Sequence, residues 1–183
     1  SKQRHGELLE SLQALEDEIR LLVIGRQGES SGSLSQHVGS QLESVIRIMH
    51  RPVLVTPTAF TEPKSAMVAF DGSATTRKGV EMLASSPLLR GLPIHLVMVG
   101  PDNEESVSQL DWAQKVLIDS GFTVHAAIRS GEVEPTLHAY QNEHAVDLLV
   151  MGAYGHSRIR QFLVGSTTTS MLRSTTSPLL LLR

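Results

Sequence analysis

The chain has 183 residues, 40% hydrophobic and 19% charged, which suffices for one full domain and part of another at about 100 to 200 residues per domain. With 16 basic against 19 acidic residues, a net charge of -3 and only 4% aromatics, it offers neither the basic footprint nor the stacking platforms of a nucleic-acid binder. Cysteine is absent, so disulfides, thiolate nucleophiles and Cys-ligated metals are excluded; no run approaches the roughly 18 apolar residues of a membrane span, and the N-terminal SKQRHGELLE lacks a signal-peptide core, so a cytoplasmic location away from the membrane is expected.

In chain order, Leu8, Leu9, Leu12 and Leu15 recur at helical spacing, and Leu21 to Ile24 is a short apolar strand. Gln41 to Met49 predicts a helix and Val53 to Thr56 a closing strand. The stretch TPTAFTEPK, with two prolines and no periodicity, predicts a linker over residues 57–64. Ala66 to Phe70 is the next strand, ending at Asp71; Gly72 makes a turn, Ser73 is an N-cap, and Val80, Leu83 and Ala84 give the following helix its inner face. Ile94 to Val99 is a second strand. Val107, Leu110, Gln114 and Leu117 share one side of a helix that Gly121 stops, Gln114 being the weak member of that stripe. Phe122 to Ile128 reads as a third strand, and Val133, Leu137 and Tyr140 mark a third helix. Asp147 to Met151 is a strand of the kind buried in a parallel sheet, and a helix after Ser166 leads to a last strand, Leu179 to Leu182. Strands alternating with helices of ten or more residues imply βαβ units, and hence an α/β fold with a parallel sheet and right-handed crossovers.

The strand ending at Met151 is followed by Gly152, two residues, Gly155, nine residues, then Gly165 and Ser166. Glycines between a strand and a helix permit a tight turn and bring backbone N–H groups close to an anion, so the stretch Met151 to Thr167 reads as a phosphate cradle. It differs from GxxxxGK[ST] and from GxGxxG. A weaker copy lies upstream. EIRLLVIGRQG aligns with AVDLLVMGAYG, pairing Gly25 with Gly152; Gly39 and Ser40 pair with Gly165 and Ser166, and Pro52 with Pro178, the first copy reading GxxG-x10-GS. Residues 1–56 therefore read as the C-terminal half of a first unit and residues 65–183 as a complete second unit.

Gly152, Gly155, Gly165 and Ser166 reproduce the GxxG-x9-G[ST] signature, and the chain resembles the universal stress protein family over nearly its whole length, as a tandem of two units. The resemblance implies a Rossmann-like open parallel sheet of strand order 3-2-1-4-5 with helices on both faces, and units that pair through their last strands. Val53 to Thr56 should then lie antiparallel to Leu179 to Leu182, packing the partial copy on the whole one as an intramolecular pseudo-dimer; a homodimer by the same strands is the other form. It also implies binding of ATP or another adenine nucleotide in a stress-response role, with an accompanying Mg ion left open. Asp71 would lie near the nucleoside end, Met98 would offer backbone groups to the adenine, Gly152 would approach the ribose, and Gly155, Gly165, Ser166 and Thr167 would surround the phosphates.

The residues themselves leave other readings open. His156, Arg158 and Arg160 are cations placed for a polyphosphate or simply a solvated basic loop. Asp71 and the glycines also suit ordinary turns. Gly28 to Gly32 matches GxSxG, but Ser30 stands too far beyond its strand for a nucleophile elbow. The eight histidines are scattered with no HExxH, so no metal site is expected, and Trp112 and Tyr140 are expected to pack rather than to stack on a ligand. No general base is legible, so the expected activity is regulatory binding, not catalysis, with slow ATP hydrolysis or self-phosphorylation at Ser166 as an open side issue. The alternatives are an adaptor or dimerisation module of the same fold without nucleotide, and an enzyme of the wider adenine-nucleotide α-hydrolase group.

Overall fold

The computed structural model describes residues 7–26, 40–153 and 166–182. Helix α1 (Leu8–Leu15) and a single 3-10 turn lead to β1 (Leu22–Gly25), α2 (Ser40–Ile48) and β2 (Val53–Thr56); β3 (Ala66–Ala69), α3 (Ala74–Ser85), β4 (Ile94–Val99), α4 (Glu104–Asp119), β5 (Val124–Arg129), α5 (Val133–His144), β6 (Leu148–Gly152), α6 (Ser166–Ser174) and β7 (Leu179–Leu182) follow. The strands form one sheet in the order β1-β2-β7-β6-β3-β4-β5. Every neighbouring pair is parallel except β2 with β7. The α/β class expected from the alternating pattern is what the chain adopts.

The central strands are buried on both faces, which is why β6 and β7 read as unbroken apolar runs rather than alternating ones. Alternate residues still go to opposite sides. Leu149, Met151, Leu179 and Leu181 join a core with Leu42, Ile46, Leu137 and Met171, under α2, α5 and α6. Leu148, Val150, Leu180 and Leu182 join another with Val80, Leu83, Leu110 and Leu117, under α3 and α4.

The antiparallel pairing expected of the two closing strands is present: Val53 stands opposite Leu181, Leu54 opposite Leu180 and Val55 opposite Leu179. Val53 and Val55 enter the same core as Leu179 and Leu181, so the seam is sealed by apolar contact as well as by its ladder. Residues 57–65 carry no helix or strand.

Two local expectations are corrected. The inner face of α4 is Ser106, Leu110, Ala113 and Leu117, whereas Val107 is 40% exposed and Gln114 is half-buried. A small alanine wins over the stripe's polar glutamine because the helix packs closely on the sheet there. In α1, Leu9 and Leu12 pack on the core, while Leu8 faces outward at 40% exposure.

Chain order and spatial order together locate the functional end of the sheet. From β3 the chain steps outward through β4 to β5, then returns to the other side of β3 with β6 and β7. The winding thus reverses between β3 and β6, and beyond the carboxyl ends of strands at such a reversal lies the usual crevice for a ligand.

Candidate functional site

A cavity of about 220 Å³ opens at that reversal. Its floor is Ala69, Val97, Val99 and Met151 at the ends of β3, β4 and β6; Val133 and Leu137 of α5 form one wall, Thr167 and Thr168 the other, and Phe70, Asp71, Thr76 and Gly152 complete it. The cavity is apolar at the bottom and polar around Asp71 and the first turn of α6, the common layout of a small-molecule site.

Asp71 is held by the turn that follows β3. Gly72 takes φ of 72°, a conformation that glycine adopts without steric cost, and swings the chain into α3. Ser73 then caps the helix as its sequence position foretold, its Oγ accepting from Thr76 N–H at 3.3 Å. Thr76 Oγ1 donates to Asp71 Oδ1 at 2.7 Å, and Ser73 N–H donates to the same oxygen at 3.0 Å. Partial burial pushes the Asp71 carboxyl up, but the hydrogen bonds from Ser73 and Thr76 together outweigh it, and its pKa falls below the ordinary carboxylate value. Asp71 is therefore an oriented anion at neutral pH.

Gly152, at the end of β6, is needed for close approach. A Cβ there would meet Thr76 Cγ2 at 3.2 Å and Thr75 Cγ2 at 3.4 Å. Both threonines are buried in the first turn of α3, so the bare backbone of Gly152 is what lets α3 and the sheet meet beside the cavity.

Opposite Asp71, α6 begins at Ser166, and its first turn leaves backbone N–H groups without an intrahelical partner, at the positive end of the helix dipole. Thr167 and Thr168 from that turn face the cavity. Helix α6 is clasped to α5, the other wall. Ser170 Oγ donates to Glu134 Oε2, and His138 Nε2 lies 2.8 Å from Ser174 Oγ. Hydrogen bonds from Ser170 and Ser174 lower the Glu134 pKa, with a smaller contribution from the charge of His138, so the clasp favours an ionised Glu134.

Of the residues expected at the site, Asp71, Gly152 and Thr167 come together around this cavity. Ser166 opens α6 beside them. Gly155, His156, Arg158 and Gly165, with Arg160, lie outside the described residues. The side chain of Met98 points away: it is buried with Phe70 and Leu110 in the core on the other face, and its neighbours Val97 and Val99 meet the cavity instead. Only its backbone is left for the role expected of it. Sequence reasoning missed Thr76, Val133 and Leu137. The signal for Thr76 was the Ser-x-x-Thr spacing at the start of α3, which places a hydroxyl one turn from the capping serine.

Trp112 packs as expected, its ring 6.3 Å from Phe70 and beneath the Arg77 guanidinium, which sits 4.6 Å from the ring centre. Phe70 lines the cavity, so this single tryptophan adjoins the site through one intervening ring. Among the described residues no group of three or more His, Cys, Asp or Glu is placed to hold a metal ion.

Known proteins resemble this chain in sequence and in fold. Residues 101–183 match the model of the universal stress protein family. Over 180 residues, 97% of this chain, the sequence is 39% identical to a universal stress protein of Synechocystis sp., covering 63% of that protein. The crystal structure of a universal stress protein from Archaeoglobus fulgidus matches with a TM-score of 0.76 at 23% identity, over 94% of this chain and 65% of that one. A universal stress protein solved in complex with cAMP matches with a TM-score of 0.55 at 19% identity, over 67% of this chain and 99% of that one. The chain thus spans less than two thirds of the length of the Synechocystis and Archaeoglobus proteins.

Proposed function

We propose, from the match of residues 101–183 to the universal stress protein family and from the site's geometry, that this protein binds ATP or a related adenine nucleotide in the cavity at the ends of β3, β4 and β6. The observation that carries the proposal is the pairing, across one apolar hollow, of a fixed carboxylate with the N-terminal turn of a helix. Asp71 supplies an acceptor for a ribose hydroxyl, and the hydrogen bonds from the Ser73 N–H and the Thr76 hydroxyl keep it charged and aimed. Val97, Val99, Val133 and Leu137 supply a flat apolar slot of the kind a purine ring fills. The N–H groups and dipole of α6 favour negative charge, so the phosphates fall on that side, next to Gly152 and Thr167. The relative solved with cAMP supports the ligand class.

Nucleotide occupancy then acts as a signal rather than as a step in turnover. The ligand bridges α5, α6 and the β3 turn, so its presence stiffens the walls that the Glu134 and His138 clasp already links. The same family reading treats β1, α2 and β2 as counterparts of β6, α6 and β7, meeting across a pseudo-twofold axis at the antiparallel β2–β7 seam, an arrangement the repeated glycine sequences support.

Calorimetric titration of the protein with ATP tests the proposal. One site per chain is expected, with affinity reduced in Asp71→Asn, where a carboxylate acceptor is replaced by an amide. The absence of heat at all concentrations, together with the absence of copurified nucleotide in native mass spectrometry, would favour an adaptor module of the same fold instead.

A further inference from the structure

Three of the histidines that the sequence scatters are gathered by the fold into one cluster. His95 and His125 stand opposite each other in the register of β4 and β5, which puts both rings on one face of the sheet, 5.2 Å apart. Tyr140 and His144, four residues apart on α5, descend on the same spot, with their rings 4.2 Å from each other. His144 lies 5.4 Å from the His95 ring, and Tyr140 meets that ring edge-on, its hydroxyl 3.1 Å from His95 Nδ1. The cluster shares its elements with the cavity. His95 precedes Val97 and Val99 along the same face of β4, and Tyr140 and His144 follow Val133 and Leu137 along α5.

We propose that His95, set among Tyr140, His125 and His144, is a proton-controlled latch: neutral, it lets Tyr140 hold the C-terminal half of α5 against β4; protonated, it is repelled by the groups around it, loosens α5 and weakens ligand binding in the adjoining cavity.

The charges around the cluster are lopsided. From β5 come His125 and Arg129, whose guanidinium sits 5.2 Å from the Tyr140 ring centre. From α5 come His144, Tyr140 and Glu143, and the Glu143 carboxylate, 3.7 Å from His144 Nε2, is the single anion within ion-pair reach of these imidazoles among the described residues. From β3, the register partner of His95 is the apolar Met67. A proton added here meets up to two other imidazoliums and one fixed cation against one carboxylate. His125 and His144 are exposed, whereas His95 is half-buried. Burial lowers its pKa first, and the charges of His125 and His144 lower it further.

The direction follows by linkage. A histidine whose folded pKa lies below its ordinary value of about 6.5 takes up its proton less readily in the folded state than in the unfolded chain. The stability it leaves intact above that value therefore drains away as pH falls through it toward the folded pKa. The loss is local to β4, β5 and α5, the elements that bear the rings.

Amide hydrogen exchange on the full chain at about pH 7.5 and about pH 5.5, corrected for intrinsic exchange, tests the latch, with α4 as internal reference; this range spans the histidine charge change. Exchange in residues 133–144 should rise relative to α4 at the lower pH, because His95 takes up its proton less readily in the folded state. His125→Gln/His144→Gln should reduce that rise, leaving only the part due to the burial of His95, and Tyr140→Phe should raise exchange in the same segment already at the higher pH. Equal pH responses in the parent and the double variant would overturn the latch, as would unchanged exchange in Tyr140→Phe. Coupling to the cavity rests on the nucleotide reading and is measured separately, by ATP titration of parent and double variant at both pH values. The parent should lose affinity at the lower pH by clearly more than the double variant, whose ATP carries the same phosphate titration; equal losses overturn the coupling. An α5 response without ATP binding at either pH supports the latch and removes the nucleotide reading instead.

Discussion

Replacing Thr76 with valine tests how Asp71 is held. The substitution keeps the shape of the side chain and removes one hydroxyl, which is buried at 7% residue exposure and donates at 2.7 Å to Asp71 Oδ1. A hydrogen bond to a charged group contributes about 1.5 to 3 kcal/mol when well formed. Asp71 sits at an exposed position, where water can replace part of the lost bond, so the expected loss is about 1 to 1.5 kcal/mol. In a domain of this size that lowers the melting temperature by about 2 to 6 °C. The loss should depend on pH. Because the Asp71 pKa is depressed in the folded state, its hydrogen bonds contribute fully above the unfolded value of 3.8, and the contribution fades as pH falls through the folded pKa. Urea unfolding followed by Trp112 fluorescence, at neutral pH and at about pH 3, gives the two free-energy differences. A penalty that is the same at both pH values, or no penalty at neutral pH, would refute the claim that Thr76 acts through an ionised Asp71.

Gly152→Val should lower stability in urea unfolding, because its side chain presses on the buried Thr75 and Thr76, and should reduce ATP affinity of the folded protein at least about tenfold, or 1.4 kcal/mol by titration, by displacing Thr76 from Asp71. Leu181→Ala, at a fully buried position opposite Val53 in the β2–β7 seam, should cost about 2 to 5 kcal/mol in urea unfolding. Glu134→Gln should loosen the α5–α6 clasp and raise amide exchange in residues 166–174, with little change in α3.

Much of this fold was legible in the residues because its central strands are buried on both faces. Ile94–Val99, Val53–Thr56 and Leu179–Leu182 are apolar runs bounded by proline or glycine, and their bounds were read without error. The antiparallel seam followed from the family resemblance, whose units pair through their last strands. Position along a stripe was harder: in α4 the eye prefers Val107 and Gln114 at helical spacing, but close packing on the sheet selects Ser106 and Ala113, whose small size carries little pattern. Asp71 and Gly152 were legible from their place where strands give way to loops, Gly152 closing β6 and Asp71 standing two residues past β3. Thr76 was legible only as a hydroxyl near the cap, since its bond to Asp71 depends on a turn geometry set by Gly72. The histidine cluster was invisible for another reason. Its members lie far apart in the chain, and only the β4–β5 register and the turn of α5 bring His95, His125 and His144 together.

The central claim, that the hollow beside Asp71 takes an adenine nucleotide, is tested most directly by the melting curve with and without ATP. At about 100 times its dissociation constant the ligand should stabilise the folded chain by about 2.7 kcal/mol. A clear upward shift that shrinks in Asp71→Asn and Gly152→Val is the predicted result. Superimposable curves for the parent protein with and without saturating ATP would contradict the account.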